Sequence, residues 1–543
     1  MEKSFDKNYL NIACIAILFY LPFIGSTHLF DWDEINFAES AREMLVTGNY
    51  SRVQIDYKPF WEKPPLFFWM QAISMKIFGV TEFAARFPNV ICGVVSLLTI
   101  YTIGKKLKNS KFGIFWALCF GSSILPFLYF KSGIIDPWYN YFIFVSGYFI
   151  LETIKSSSNK QALLGGLFLG LAIITKGPVA VIILLITALV YLFYTKSFKT
   201  IKWQNVVLFV LSSFAVSSIW FGYETIKHGT SFLTEFIDYQ VRLFSTPDSG
   251  HGQPFFYHFL VVFFLCFPIS IFALPKLVKK ANKDKKSKND SFLLWSKILF
   301  WTVLILFSLV KTKIIHYSSL CYLPLSYIAA NYLYFLSEHK KFPRFSLRLT
   351  FLIVGSIVSV AFAFMPFVSA NTKYIVPYMN DEFAIASLRY PASWNGYEFL
   401  IGIFLLVIVI IVFFKLKSGI KQQVYLLFFS TATFMFLFLA VVVPKIERFL
   451  QSPAINFYEA LSGKNVIVSP VGFKSYAHYY YFKKPQHENK IDGIDDNLID
   501  GKISKDVYLV TKITHHELDN KKHIFYLGRQ GGFDFWYRPA KQK

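Results

Sequence analysis

Thirteen apolar runs of about 15 to 21 residues, nearly all long enough to cross roughly 30 Å of hydrocarbon as a helix, punctuate this chain. They fall near 10–30, 86–104, 112–130, 134–152, 161–175, 178–195, 204–222, 255–275, 292–310, 317–336, 349–369, 398–415 and 423–443. So much apolar helix is stable only where lipid replaces water, so the expected class is mainly α, a polytopic membrane fold of about thirteen helices. Composition agrees. With 54% hydrophobic and 16% charged residues over 543 positions, the chain is too apolar for a soluble protein of its size. The first run has no small-residue cleavage site, because Gly25-Ser26-Thr27 leads straight into His28, and it is expected to stay as a membrane helix.

Lysine placement sets the expected orientation. The segments Lys105–Lys111, Lys155–Lys160, Lys196–Lys202, Lys276–Lys297, Lys340–Arg348 and Lys415–Lys421 carry clustered cations with few acids, as cytoplasmic loops do. This puts the N-terminus in the cytoplasm, and the loop 31–85 and the last hundred residues outside. The net charge of +23 is then a topogenic signal with some attraction to anionic lipid heads. It is spread over too many loops to mark a nucleic-acid surface. Cys14, Cys92, Cys119, Cys266 and Cys321 all sit in apolar runs, which suggests neither a disulfide framework nor a CxxC site.

The first outer loop carries the chemistry. Between Asp31 and Pro65 it holds seven carboxylates, Asp31, Asp33, Glu34, Glu39, Glu43, Asp56 and Glu62. Ile35, Ala38, Ala41, Met44 and Leu45 recur at helical spacing, so 32–46 is expected as an amphipathic helix on the membrane surface with Glu39, Arg42 and Glu43 on its polar face. Asp31 could cap that helix and Glu34 reach back in a capping box, which leaves at least one acid, Asp33 or Glu34, for chemistry. Further along, Pro64 biases Lys63 towards an extended backbone and so directs its side chain, an arrangement suited to holding phosphate; a surface ion pair of Glu62 with Lys63 is the plainer alternative. Arg86, Lys131, Lys176, Arg242, Lys311 and Lys313 lie at outer span ends, where cations are normally depleted. Singly each could be a snorkelling anchor; together they point to an anionic ligand at the outer face.

From about Pro444 the pattern changes. Short β-prone stretches at 465–469, 506–511, 523–527 and 533–537 alternate with helical segments 452–462 and 473–483, which reads as a small α/β domain outside the membrane. The expected division is 1–443 and 444–543. No glycine-rich phosphate loop occurs, and the adjacent His515 and His516 point apart on a strand, a poor joint metal site.

These residues resemble a known family. Asp33-Glu34-Ile35-Asn36-Phe37-Ala38-Glu39-Ser40-Ala41-Arg42-Glu43-Met44, followed by Glu62-Lys63-Pro64-Pro65, is similar to the DE-x-x-[FY]-AE-x-x-REM and EKPP pattern of bacterial GT-C glycosyltransferases. The group is that of the aminoarabinose lipid A transferases, related to protein O-mannosyltransferases. The likeness continues through Asp136-Pro137, Thr175-Lys176-Gly177, the segment from His251 to Tyr257, Lys311-Thr312-Lys313, His316-Tyr317 and Pro324. It implies an inner-membrane enzyme, a monomer, that moves one sugar with inversion from a polyprenyl-phosphate donor to lipid A, another envelope glycan or a protein. Asp33 would be the essential carboxylate, with Glu34 and Asp136 as further catalytic candidates. Lys63 would bind the donor phosphate, and Arg42, Tyr317, Lys176 and Lys313 the substrates. Glu62 and His251 match positions that can hold a structural divalent metal such as zinc; no cofactor is required. Two departures, Phe60 in place of a tyrosine and His316 in place of a small hydroxyl residue, bear on sugar and acceptor more than on the reaction. A transporter or flippase of lipid-linked sugars is the rival from another class; the sequence shows no internal repeat to favour it.

Overall fold

The computed structural model describes residues 6–31, 33–246, 252–278, 288–486 and 498–540. It is mostly helical. Among the described residues, five helices are long and apolar enough to cross a membrane, Glu82–Leu107, Trp203–His228, Asp290–Leu309, Phe345–Ala370 and Ile420–Leu450. Leu66–Phe78, Ser110–Gly121, Val179–Thr195 and Leu400–Lys415 are shorter apolar helices. The thirteen uniform runs thus become helices of uneven length. The run 112–130 breaks at Ser122 and Ser123, where the amide of Ile124 turns to the carbonyl of Phe267, and the run 255–275 bends by 119° between Tyr257–Leu265 and Ile269–Val278.

Helix packing follows small residues. Asn159–Lys176 lies between Asp136–Ser156 and Trp203–His228. A methyl on Gly166 would meet the carbonyl oxygen of Phe209 at 2.2 Å, and one on Gly170 the Val216 side chain at 2.6 Å. Glycines four apart let two backbones touch where lipid supplies no hydrophobic drive between helices.

The C-terminal segment carries a four-stranded sheet with helices. Strands Ile467–Val471, Val507–Lys512, Phe533–Arg538 and Phe525–Gln530 lie in that spatial order, the first pair parallel and the rest antiparallel. The compositional change at Pro444 falls inside a continuous helical rod, Ile420–Leu450, rather than in a linker. One hydrophobic cluster joins Leu29, Ile35, Ala38 and Ala41 of the acidic segment to Tyr458, Val468, Tyr480 and Phe533 of this unit. The loop helix Asp33–Thr47 is therefore buried from Glu34 to Met44. It does not lie on the membrane surface, because its polar side has partners within the protein: Glu39, Arg42 and Glu43 are all buried.

Candidate active site

Asp33 opens the helix Asp33–Thr47, and its side chain keeps 38% of its surface exposed. It faces a polar chamber of about 1350 Å³, whose walls include Glu62, Lys63, Lys176, His316 and Tyr317. Two apolar cavities open from this chamber. One, of about 890 Å³, shares Lys63, Lys176 and Tyr317 with it and runs past Asp136 to Ile182, Ile183, Leu306 and Phe307. The other, of about 1460 Å³, shares Phe30, Glu34, Ile134, Ile314 and His316, and is otherwise walled by residues such as Leu125, Leu128, Phe362 and Phe438.

Local structure explains how the cations reach the chamber. Lys63 sits after the hairpin Gln54–Ile55 and Lys58–Pro59 and before the helix Leu66–Phe78, its Nζ 3.3 Å from the Tyr239 hydroxyl and 4.7 Å above that ring. Lys176 ends the helix Asn159–Lys176, where the dipole favours a cation, and Gly177 at φ +113° turns the chain away in a conformation open to glycine. Its ammonium donates to Asp136 Oδ1 at 2.6 Å and lies 5.4 Å from the Tyr317 ring centre. Asp136 starts its own helix, and its second carboxylate oxygen is buried without a hydrogen-bond partner. The short helical segment Ile315–Cys321 presents His316 and Tyr317; Asn140 donates to Ser319 at 2.7 Å and Ser319 donates to the carbonyl of His316, fixing the segment against Asp136–Ser156. His316 Nε2 lies 3.4 Å from Asp33 Oδ2. Burial of the imidazole, outweighing nearby Asp136 and Asp33, holds it below the ordinary histidine range.

The other predicted residues are placed differently. Glu34 borders the cavities, but its oxygens are filled by Arg86 Nε at 3.0 Å, Arg86 Nη2 at 2.8 Å, the amide of Phe30 at 2.9 Å and the amide of Gly133. Burial would raise its pKa, yet the Arg86 charge and hydrogen bonds hold it below the usual glutamate range. It reaches back to Phe30, not to Asp31, and anchors the loop. Arg42 is not a cavity residue. Its fork is occupied by Glu39 at 2.7 and 2.6 Å, with further contacts to Tyr57 Oη and the carbonyl of Lys484, so the guanidinium ties the helix to the C-terminal unit. Lys313 turns back to the carbonyl of Val310 at 2.7 Å, while its neighbours Thr312 and Ile314 line the chamber. Glu62 lines the chamber as well; His251 lies outside the described residues. No group of three or more His, Cys, Asp or Glu at metal-binding spacing occurs among the described residues. Reading the sequence missed Lys474 and Tyr476, which reach the chamber from the C-terminal unit. No local signal marks them, since their relevance comes only from a contact across more than four hundred residues.

Residues 62–220 match the family described as dolichyl-phosphate-mannose-protein mannosyltransferase. An undecaprenyl phosphate-alpha-4-amino-4-deoxy-L-arabinose arabinosyl transferase of Proteus mirabilis is 28% identical over 389 residues, 70% of this chain and 69% of that protein. Its namesake in Photorhabdus laumondii is 26% identical over 59% of this chain, and the match spans 58% of that relative's length. The crystal structure of ArnT from Cupriavidus metallidurans bound to undecaprenyl phosphate superposes with a TM-score of 0.79 at 16% identity, covering 99% of this chain and 100% of the other. The apo form of the same protein gives 0.77 over 98% of this chain. Residue pattern and fold agree: the chain has the GT-C fold seen in ArnT, and its sequence is similar to the aminoarabinose transferases over 70% of its length and to the mannosyltransferase family over residues 62–220.

Proposed function

We propose that this protein transfers a sugar from an undecaprenyl-phosphate-linked donor to an acceptor at the periplasmic face of the inner membrane, with inversion. The observation that carries the reading is the junction where Lys63, Lys176 and Tyr317 belong both to the polar chamber and to an apolar groove, with Asp33 in the same chamber. That is the layout needed by a donor whose headgroup is an anionic sugar phosphate and whose tail is a polyprenyl chain. The tail lies along Ile182, Ile183 and Phe307, and the phosphate meets Lys63 and Lys176. Asp136 positions Lys176 through its hydrogen bond.

In the reaction the acceptor attacks the anomeric carbon from the side of Asp33. The bond from that carbon to the phosphate oxygen breaks, its electron pair stays on the phosphate, and the two lysines stabilise the developing charge. Asp33 takes a proton where the acceptor carries one. The lysine asymmetry puts the N-terminus in the cytoplasm and the chamber and C-terminal unit in the periplasm. Glu62, an oxygen donor in the chamber wall, is proposed with His251 to hold a structural zinc ion, which metal analysis of wild type and Glu62→Gln tests; no step above runs through it. The family description favours one second reading, in which the acceptor is a protein hydroxyl.

The test is transfer by purified protein in detergent from synthetic undecaprenyl-phosphate sugar, set against the matching nucleotide sugar. Lys63→Ala is expected to cost several kcal/mol of transition-state stabilisation, of order ~3 to 4, and Lys63→Arg less because the charge is kept. Transfer from the nucleotide sugar alone, or lipid-donor use indifferent to Lys63→Ala, refutes the reading.

A further inference from the structure

The helix Ser231–Ser245 packs beside both lysines that meet the donor phosphate. Phe232, Phe236, Tyr239 and Gln240 recur along it at helical spacing and so lie on one face. Phe232 is buried, its ring centre 5.5 Å from that of Trp61, two positions before Lys63, and 5.7 Å from that of Trp220. One turn on, Phe236 sits against Gly177, the residue after Lys176, so closely that a methyl group on that glycine would meet the ring at 2.9 Å. The next turn brings Tyr239 to the Lys63 ammonium and Gln240 to the wall of the apolar groove.

The two lysines are held in different ways. Lys176 donates to Asp136 at 2.6 Å, and a carboxylate that close offsets part of its charge. Among the described residues no carboxylate lies within ion-pair distance of Lys63. Its ammonium instead donates to the Tyr239 hydroxyl at 3.3 Å and stands 4.7 Å from the centre of that ring, whose face also attracts a cation. A neutral phenol fixes direction without offsetting charge, and two of the three ammonium N–H donors remain for an anion. Packing of Trp61 fixes the backbone near Lys63, whereas the charge at the end of a flexible four-carbon stem needs a partner of its own. Arg242, one turn beyond Tyr239, has its guanidinium 5.3 Å from the same ring centre and also lines the chamber. The hydroxyl of Tyr239 and its ring therefore have separable effects.

We propose that Tyr239 is a positioning residue for the transfer: its hydroxyl aims the Lys63 ammonium at the donor phosphate, on a helix that keeps Lys63 in register with Lys176. This rests on the donor reading above. Charge developing on a leaving phosphate is stabilised best by a cation already in place, and Tyr239 supplies that placement without contributing charge.

The experiment is a double-mutant cycle on the binding of undecaprenyl phosphate, the leaving group of the proposed reaction, to the purified full chain in detergent. Wild type, Tyr239→Phe, Lys63→Ala and the double variant are compared, and the thermal unfolding of each is measured. Phenylalanine keeps the ring beside Lys63 and Arg242 and removes the hydroxyl alone. Tyr239→Phe is expected to weaken binding at least about threefold with unchanged melting, and the double variant to bind no more weakly than Lys63→Ala. Lys63→Ala itself is expected to weaken binding at least about tenfold. Undiminished affinity in Tyr239→Phe overturns the proposal. An equal loss with and without Lys63 overturns it too, because a hydroxyl that acts through the ammonium has nothing to position once the ammonium is gone. Lys63→Ala that binds as wild type does overturns the donor reading itself.

Discussion

Asp33 and Glu34 are adjacent in sequence, start the same helix and end in opposite situations. Glu34 is buried with four donors on its two oxygens, two of them from a guanidinium that is itself fully used. Asp33 looks into an open chamber with one imidazole at 3.4 Å. The difference teaches that the role of a carboxylate here is set by how many of its lone pairs the protein occupies. A saturated acid fixes geometry, and an acid with spare lone pairs is free to take a proton from a ligand. Lysines follow the same division: Lys131 is saturated, whereas Lys63 meets a single phenol hydroxyl within the chamber.

The sharpest way to break this comparison is to neutralise the saturated member. Glu34→Gln leaves Arg86 buried and uncompensated, so the expected cost is about 3 to 5 kcal/mol of stability, the range for removing one partner of a buried pair. Thermal unfolding in detergent measures it. A variant as stable as wild type would show that Glu34 does not anchor the loop. Asp33→Asn should do the reverse. It keeps size and helix-start compatibility, so expression and melting should hold while transfer falls at least about a hundredfold, roughly 2.7 kcal/mol in barrier. Near-normal turnover would hand the base role to another acid.

The smallest effect concerns a third acid of the same helix. Burial, with Glu39 alongside, pushes the Glu43 carboxyl well up, while the amide of Tyr57 at 2.9 Å partly offsets it. Above the ordinary glutamate pKa of about 4.3 the folded state therefore holds a proton that the unfolded chain releases, and stability declines as pH rises through that window. Glu43→Gln keeps the acceptor for Tyr57 and removes the titration. It should raise the melting temperature more at pH 8 than at pH 6, by a few degrees; an unchanged pH slope would place the proton elsewhere.

Much of the C-terminal unit was legible in the chain. The four β-prone stretches of the last hundred residues became strands shifted by no more than about three residues, because alternation and turn residues are local signals. The helix after Asp31 was legible for the same reason, yet its environment was not. Its three-and-four spacing read as one apolar face at a surface, and Arg42 as a ligand-binding cation, whereas Tyr57 and, from more than four hundred residues away, the Lys484 carbonyl close over its polar face.

By itself the sequence determined that the chain is a helical membrane protein, that the segment 31–65 concentrates acids, and that Asp33, Lys63, Asp136, Lys176 and Tyr317 are candidates for one site. Hydropathy, charge bias and residue pattern are properties of short segments and survive without a fold. Only the tertiary structure decided which candidates retain spare hydrogen-bonding capacity. Saturation of Glu34, Arg86 and Lys131 depends on backbone groups of Ile24, His28, Tyr20 and Gly133, which reach these side chains only after the helices pack. A side chain's type fixes how many hydrogen bonds it can make, and three-dimensional neighbours alone fix how many are left for a substrate.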